Sequence, residues 1–455
     1  MAVSISHETV EGMRAAFSGQ VLTPGDMGYD DARQVHNGMI DKHPAVIARC
    51  QDTADIADAV KVARDLGLEI AVRGGGHNVA GQAVTEGGLM IDLAPMKGVH
   101  VNPRAGTARA QGGVTWREYN RATHAYGLAT TGGVVSTTGI AGLTLGGGVG
   151  WLMGKHGMAI DNLRSVELVT ADGEIRTASA DEDADLFWAL RGGGGNFGVA
   201  SSFEYEAHPL STVFGGIIAF DLPDAAKVFD FYRDFTAECP DEVSAFCGLV
   251  HAPDGSGHKI VAMPMCHCGE LAGGEAAAKQ MRTAGTPLVD LLGPMPYPVV
   301  NTLLDDGFPR GARNYWKSAF FKDLSDDTVG LLAESFRKAP SILSGLVVEH
   351  LHGKLTQVGA TDTAFPHREP GYNLVLIAQW LDPAGDEANI TWAKETFAAL
   401  APHMADAAYV NYLDKDDGGR VQAAYGPNWE RLVALKKRFD PDNVFHLNQN
   451  ISPAG

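Results

Sequence analysis

Two glycine-rich tracts do most to limit how this chain can fold: RGGGHNVAG at 73–81 and TTGGVVSTTGIAGLTLGGGVGWLMGKHGMAIDN at 130–162. Each follows strand-like sequence, the first coming directly after LEIAV. Glycine carries no Cβ, so such backbone can approach other backbone or a ligand closely. Consecutive N–H groups in these turns can form a nest for phosphate oxygens. One tract alone reads equally well as tight turn packing. Two tracts, roughly 60 residues apart, favour a cofactor carrying a diphosphate. Glycine supplies 55 of 455 residues, well above the ~7 % of an average chain, and about half of it lies between Gly74 and Gly198.

A chain of 455 residues exceeds one ordinary core, so two domains or more are expected. A formal charge of −19 argues against nucleic-acid and anionic-membrane partners. The cysteines (Cys50, Cys239, Cys247, Cys266, Cys268) are odd in number and form no framework, so disulfide stapling is not expected. The N-terminal sequence lacks a basic segment followed by an apolar one, and no apolar run reaches the ~18 residues of a spanning helix. The expectation is a soluble cytoplasmic protein.

From 45 to 72 the pattern is strand, helix, strand: AVIARC, then DTADIADAVKVARDLG with Asp52 as N-cap and Gly67 as stop, then LEIAV. Short strands follow in GLMIDLA, GVHVNP and GTARAQGG, then the helix TWREYNRATHAYG. SVELVTADGEIRTAS reads as a hairpin with Asp172-Gly173 at its tip. DEDADLFWALRG reads as a short helix and FGVASSFEYEAHPL as a long strand. Beyond Pro209, strands such as VFGGIIAFDL, SGLVVEHLHG and YNLVLIAQWL alternate with amphipathic helices, which predicts an antiparallel sheet with helices on one face. The tail predicts a helix stopped at Asp440-Pro441, then an extended strand. The fold class is α+β.

RGGGGNFG spells G-x-G-x-x-G across Gly193, Gly195 and Gly198, but it follows a helix and lacks the acidic residue ~20 positions on. It reads as a turn into the next strand. CHC at 266–268 and EHLHG at 349–353 offer metal ligands, and His350 and His352 share one strand face with Glu349 on the other. That gives two ligands with no third evident from spacing, so no metal is expected and the pair suits a polar cavity lining better. No G-x-S-x-G marks a nucleophilic serine.

The ordered motifs RGGGHNVAG, TGGVVSTTGIAGLTLGGGVGWL…KHGMAIDN, LFWALRGGGGNFGV, YVNYLDKDD and PNWERLVALKKRFDPDNVFHLNQNI resemble the FAD-linked oxidases of the vanillyl-alcohol oxidase/p-cresol methylhydroxylase fold. Within it they are similar to the berberine-bridge-enzyme-like branch, near its 6-hydroxy-D-nicotine oxidase members. The resemblance spans about 45 to 452 and implies an FAD domain over 1–210, a substrate domain over 211–412, and a segment 413–455 returning to the FAD domain. It implies that His77 bonds the flavin 8α-methyl carbon, with Arg73, Gly74, Gly75, Gly76 and Asn78 cradling the pyrophosphate. Many members add a cysteine link; the matching residue is Val135, so His77 would be the sole tether. A histidyl substituent withdraws electron density and raises the flavin potential.

Further cofactor contacts implied by the match are Val79, Gly81, Gly133, Thr137, Thr138, Gly139, Gly142, Gly146, Gly147, Gly150, Gly198 and Val199, with Asn448 and Asn450 alternating along the tail strand. Thr138 matches a position governing dioxygen access. Tyr412, in a YVNYLD strand, matches the catalytic tyrosine. Taking a heteroatom's proton needs a base, and a tyrosine of pKa near 10 would need a nearby cation or flavin dipoles to lower it. Tyr315, His350, His352 and Gln379 are candidate cavity lining. The implied reaction moves a hydride from a carbon bearing OH or NH of a small molecule to FAD, with dioxygen yielding hydrogen peroxide. Its alternatives are a dehydrogenase using a quinone or protein acceptor, and a flavin-holding binding protein without turnover.

Overall fold

The computed structural model describes residues 5–321 and 323–454; residues 1–4 and 455 of the expected terminal boundaries, and Lys322, lie outside them. Residues 20–92 build a four-stranded sheet in the order Gln20–Leu22, Val46–Arg49, Leu89–Asp92, Ile70–Arg73. The last three strands are mutually parallel. Such strands are buried on both faces, which is why Leu89–Asp92 is buried throughout. The crossover helix Thr53–Leu66 starts where the Asp52 carboxylate accepts from the Asp55 N–H and ends at Gly67, whose φ of 63° closes the last turn.

Five antiparallel strands form the second sheet: Val99–Asn102, Thr107–Gln111, Val199–Glu206, Leu163–Val169 and Ile175–Ser179. The 163–179 hairpin turns at Asp172-Gly173, with Gly173 at φ 79°. Helix Trp116–His124 opens on a capping box in which Thr115 and Glu118 satisfy one another's backbone N–H groups.

The third sheet, in residues 212–380, is antiparallel and runs Val289–Asp290, Thr212–Asp221, Lys259–His267, Val243–His251, Gly345–Leu351, Gly371–Trp380, Arg313–Phe321. Helices Ala225–Glu238, Asp326–Arg337 and Asp386–Leu400 cover one face, packing Phe229, Tyr232, Phe336 and Trp392 against Leu346, Leu374 and Leu376. Truncating a filled position such as Phe336 to Ala costs about 3–5 kcal/mol. The opposite face turns Phe246 and Phe320 toward the glycine-rich half, where Phe246 meets Trp151 at 5.0 Å between ring centroids.

The tail departs from its sequence reading. Helix Trp429–Phe439 stops at Asp440 as expected, but no strand follows. Asn443 sits at φ 52°, and the segment is held by side chains instead of a ladder. Asn196 donates to Gln449 O and accepts from Ile451 N, while buried Lys436 pairs with Asp440 and donates to Asn196 O and Phe445 O. All five cysteines are free, and no helix of the described residues is long and apolar enough to cross a membrane.

Candidate active site

The two glycine tracts meet backbone to backbone. A Cβ on Gly75 would overlap the Gly139 backbone, and one on Gly139 would overlap Gly75, so neither position admits a side chain. Gly76 takes a left-handed φ of 70°. Arg73 does not reach into the loop's concavity. Its guanidinium is buried, donating twice to Asp92 (2.9 and 2.6 Å) and once to Gln34 O, so it anchors the loop and cradles nothing directly. None of the backbone N–H groups from Gly74 through Ala80 donates a hydrogen bond among the described residues. A run of free donors beside the start of helix Ile140–Leu145 has the donor chemistry a pyrophosphate would need. Gly142, on that helix, faces open space.

His77 projects from this loop. Its Nε2 lies 3.0 Å from Thr137 Oγ1, and its ring stacks on His36 at 4.1 Å between centroids. Burial, then His36 and Arg310, push its pKa down to about 3, so the imidazole is neutral. Asn78 caps the loop by accepting from Gln82 N, and Val79 offers its carbonyl to Asn37. Asn37 also exchanges hydrogen bonds with the Asn314 backbone, tying the loop to the third sheet. Gly81 packs on Ile40.

Several of the expected contact glycines are closely packed against protein. Gly133 lies against Leu143 and Trp116, Gly146 beneath the Asn411 amide, Gly147 against Met158 and Tyr409, and Gly150 against the Gly132 carbonyl. Val135 is buried and accepts from Thr138 N. Gly198 sits over Val169 O, and Val199 is fully buried at the start of its strand. The tract thereby supports residues 409–412: the Tyr409 hydroxyl accepts from Gly148 N, and Asn411 donates to Leu143 O.

Residues Val410–Tyr412 form a 3-10 turn, not the expected strand. The turn aims the Tyr412 hydroxyl at Glu349, donating to Oε1 at 3.0 Å, while Asn373 Nδ2 donates to Oε2 at 2.7 Å. Glu349 is buried, which pushes its pKa up to about 7 against the lowering effect of these two donors. Burial and the Glu349 charge in turn raise Tyr412 well above 10. The sequence reading looked for a cation beside Tyr412; the structure supplies a carboxyl group. Trp316 and Tyr409 set their rings edge-on to Tyr412 at 6.1 and 4.8 Å.

The strand register corrects most of the expected cavity lining. Glu349 pairs with Asn373, and His350 with Tyr372, so alternate residues face opposite sides. His350 and Tyr315 therefore lie on the helix-covered side, Tyr315 donating to Asp416 at 2.5 Å, and His352 stacks on His350 at 4.4 Å. Gln379 shares the Glu349 side but donates to Gly307 O. Glu349 is the residue the sequence reading passed over, although the E-H-L-H alternation already set it apart from the histidines. Asn448 lies against Gly195, and the Asn450 Oδ1 is buried without a partner. Both border a cleft of about 450 Å³ with Gln82, Asp414 and Gln422.

The chain matches the family model described as FAD binding domain over residues 44–179, and that described as berberine and berberine like over 408–452. It is 31 % identical to the (R)-6-hydroxynicotine oxidase of Paenarthrobacter nicotinovorans over 460 residues, covering 97 % of this chain and 98 % of that protein. The crystal structure of 6-hydroxy-D-nicotine oxidase from Arthrobacter nicotinovorans superposes with a TM-score of 0.87 at 30 % identity, covering 96 % of this chain and 98 % of that one. The carbohydrate oxidase of Microdochium nivale shares the fold at a TM-score of 0.84 and 24 % identity, covering 98 % and 99 % of the two chains. With the free donors of the first glycine loop and the Tyr412–Glu349 pair, these likenesses identify the chain as a member of the berberine-bridge-enzyme-like family of FAD-linked oxidoreductases.

Proposed function

We propose that this enzyme is an oxidase that removes a hydride from a carbon bearing OH or NH of a small molecule, with Tyr412 taking the heteroatom's proton and His77 as the single covalent tether of FAD. The observation that carries the reading is the hydrogen-bonded chain Tyr412–Glu349–Asn373. A tyrosine whose pKa is raised is a poor base by itself. It can still accept a proton from the substrate while passing its own along the 3.0 Å bond to Glu349, and a carboxyl of pKa about 7 is ionised in a large share of molecules at neutral pH. No free phenolate is then required. Asn373 holds the receiving carboxylate in line, and Trp316 and Tyr409 fix the phenol ring.

FAD, when bound, supplies the two-electron sink, and dioxygen as final acceptor gives hydrogen peroxide. The N–H groups of Gly74–Ala80 would hold its pyrophosphate. His77, kept neutral and hydrogen-bonded through Nε2, has a nitrogen lone pair available for alkylation. The oxidase names of the 31 % identical relative and of the 30 % identical solved structure favour dioxygen over a quinone or protein acceptor. The test has two arms. Acid-precipitated wild-type protein should stay yellow and His77→Ala should release its colour; free flavin from the wild type refutes the tether. A substrate screen should consume dioxygen in step with peroxide; turnover seen only with a quinone or dye would replace the oxidase by the dehydrogenase.

A further inference from the structure

Behind Glu349, on the other face of its strand, three metal-binding side chains converge. The ligand atoms of Cys239, His350 and His352 all lie within 4.8 Å of one another. Cys239 is the C-cap of helix Ala225–Glu238, His350 lies near the end of strand Gly345–Leu351, and His352 follows that strand. The third donor, absent from the EHLHG spacing, thus comes from a residue remote in sequence. Both imidazoles are more than nine-tenths buried, at 8 % and 9 % exposure. Among the described residues, His350 Nδ1 and both ring nitrogens of His352 have no hydrogen-bond partner, a costly state for buried polar atoms. The stacked rings, 10° from parallel, satisfy nothing in one another.

We propose that Cys239, His350 and His352 bind a single zinc-class divalent cation, with water as its fourth ligand, at a site separate from the flavin. One thiolate with two imidazoles is a borderline-soft donor set suited to Zn²⁺. Tetrahedral Zn²⁺ needs donors roughly 3.3–3.6 Å apart, so side-chain rotations suffice to close the group. Both imidazoles are held neutral by burial, the form that ligates. Burial raises the Cys239 thiol to about 11, so binding would release its proton to solvent as the S–metal bond forms. The Asp241 charge reaches the His352 ring. The Cys239 Sγ otherwise makes one long contact, 3.6 Å to Thr236 O. Because His350 follows Glu349 directly, the cation would pin the strand that carries the proton acceptor.

The flavin-loaded enzyme, stripped with a chelator and equilibrated by dialysis against micromolar Zn²⁺, should retain about one zinc per chain by elemental analysis. Cys239→Ala and His352→Ala should each abolish this while keeping their flavin. Retention below about half an equivalent in the wild type, or undiminished retention in both variants, overturns the site. Should the variants fold poorly, alkylation of wild-type cysteines mapped by mass spectrometry decides. Zn²⁺ should slow modification of Cys239 at least tenfold relative to the other cysteines, and an unchanged rate overturns the proposal.

Discussion

Replacing Glu349 with Gln separates the two consequences of burying a carboxyl group beside Tyr412. Its pKa rises from an ordinary 4.5 to about 7 on folding, so the folded chain holds this proton more tightly than the unfolded chain. Stability contributed by the protonated form is full below about pH 4.5 and is lost as pH rises through 7. The shift corresponds to a penalty on the order of 3 kcal/mol above that window. Gln keeps the shape and both partners: its carbonyl accepts from Asn373, and the rotated Tyr412 hydroxyl accepts from its amide. Glu349→Gln should therefore match the wild type near pH 5 and exceed it increasingly toward pH 8, read as a widening gap in Tm. Activity should move the other way. The wild-type kcat/KM should rise through a pKa near 7 as Glu349 ionises, whereas the variant should lose about 10²–10⁴-fold and that limb with it. A variant that keeps the limb and shows no pH-dependent gain in Tm would refute the relay.

Tyr412→Phe removes the hydroxyl proposed to take the substrate's proton; the rate of flavin reduction should fall about 10²–10³-fold with flavin content unchanged, measured by stopped-flow reduction of the enzyme. Gly75→Ala forces a methyl into the Gly139 backbone, so purified protein should carry little flavin, read from the ratio of visible to ultraviolet absorbance. Asp440→Ala strands the fully buried Lys436 ammonium and should cost about 3–5 kcal/mol, visible as a lower denaturant midpoint. Lys436→Met/Asp440→Leu should recover only part of that loss, because it removes the uncompensated charge but leaves Asn196 O, Phe445 O and the Val444 and Phe445 N–H groups without these partners.

Local features were the legible ones. The Asp52 cap, the Gly67 stop, the Asp172-Gly173 hairpin and the contact-prone glycines each follow from residues within a few positions of one another. The strand expected around Tyr412 came from the family match of YVNYLD; the turn is imposed by Asn411 and Tyr409 bonding to the glycine tract, which no local pattern encodes. The faces of Gly345–Leu351 were hard to assign because both are buried, one under helices and one under the glycine-rich half. The alternation of Glu349 and His350 was visible, but not which side held the chemistry. The family match implied that Arg73 cradles the pyrophosphate; only the parallel strand ending at Asp92 reveals its employment elsewhere.

The side chain of Asn196 joins Gly193 O, Gln449 O and Ile451 N, and so closes the chain's final stretch onto its middle. During synthesis the two glycine loops emerge early, and Tyr412 and the segment bound by Asn196 come last. Vectorial assembly therefore presents the free donors of the first glycine loop well before the Tyr412–Glu349 hydrogen bond can form. A chain ended before Tyr412 would carry the donors of the first glycine loop without the hydroxyl that bonds Glu349.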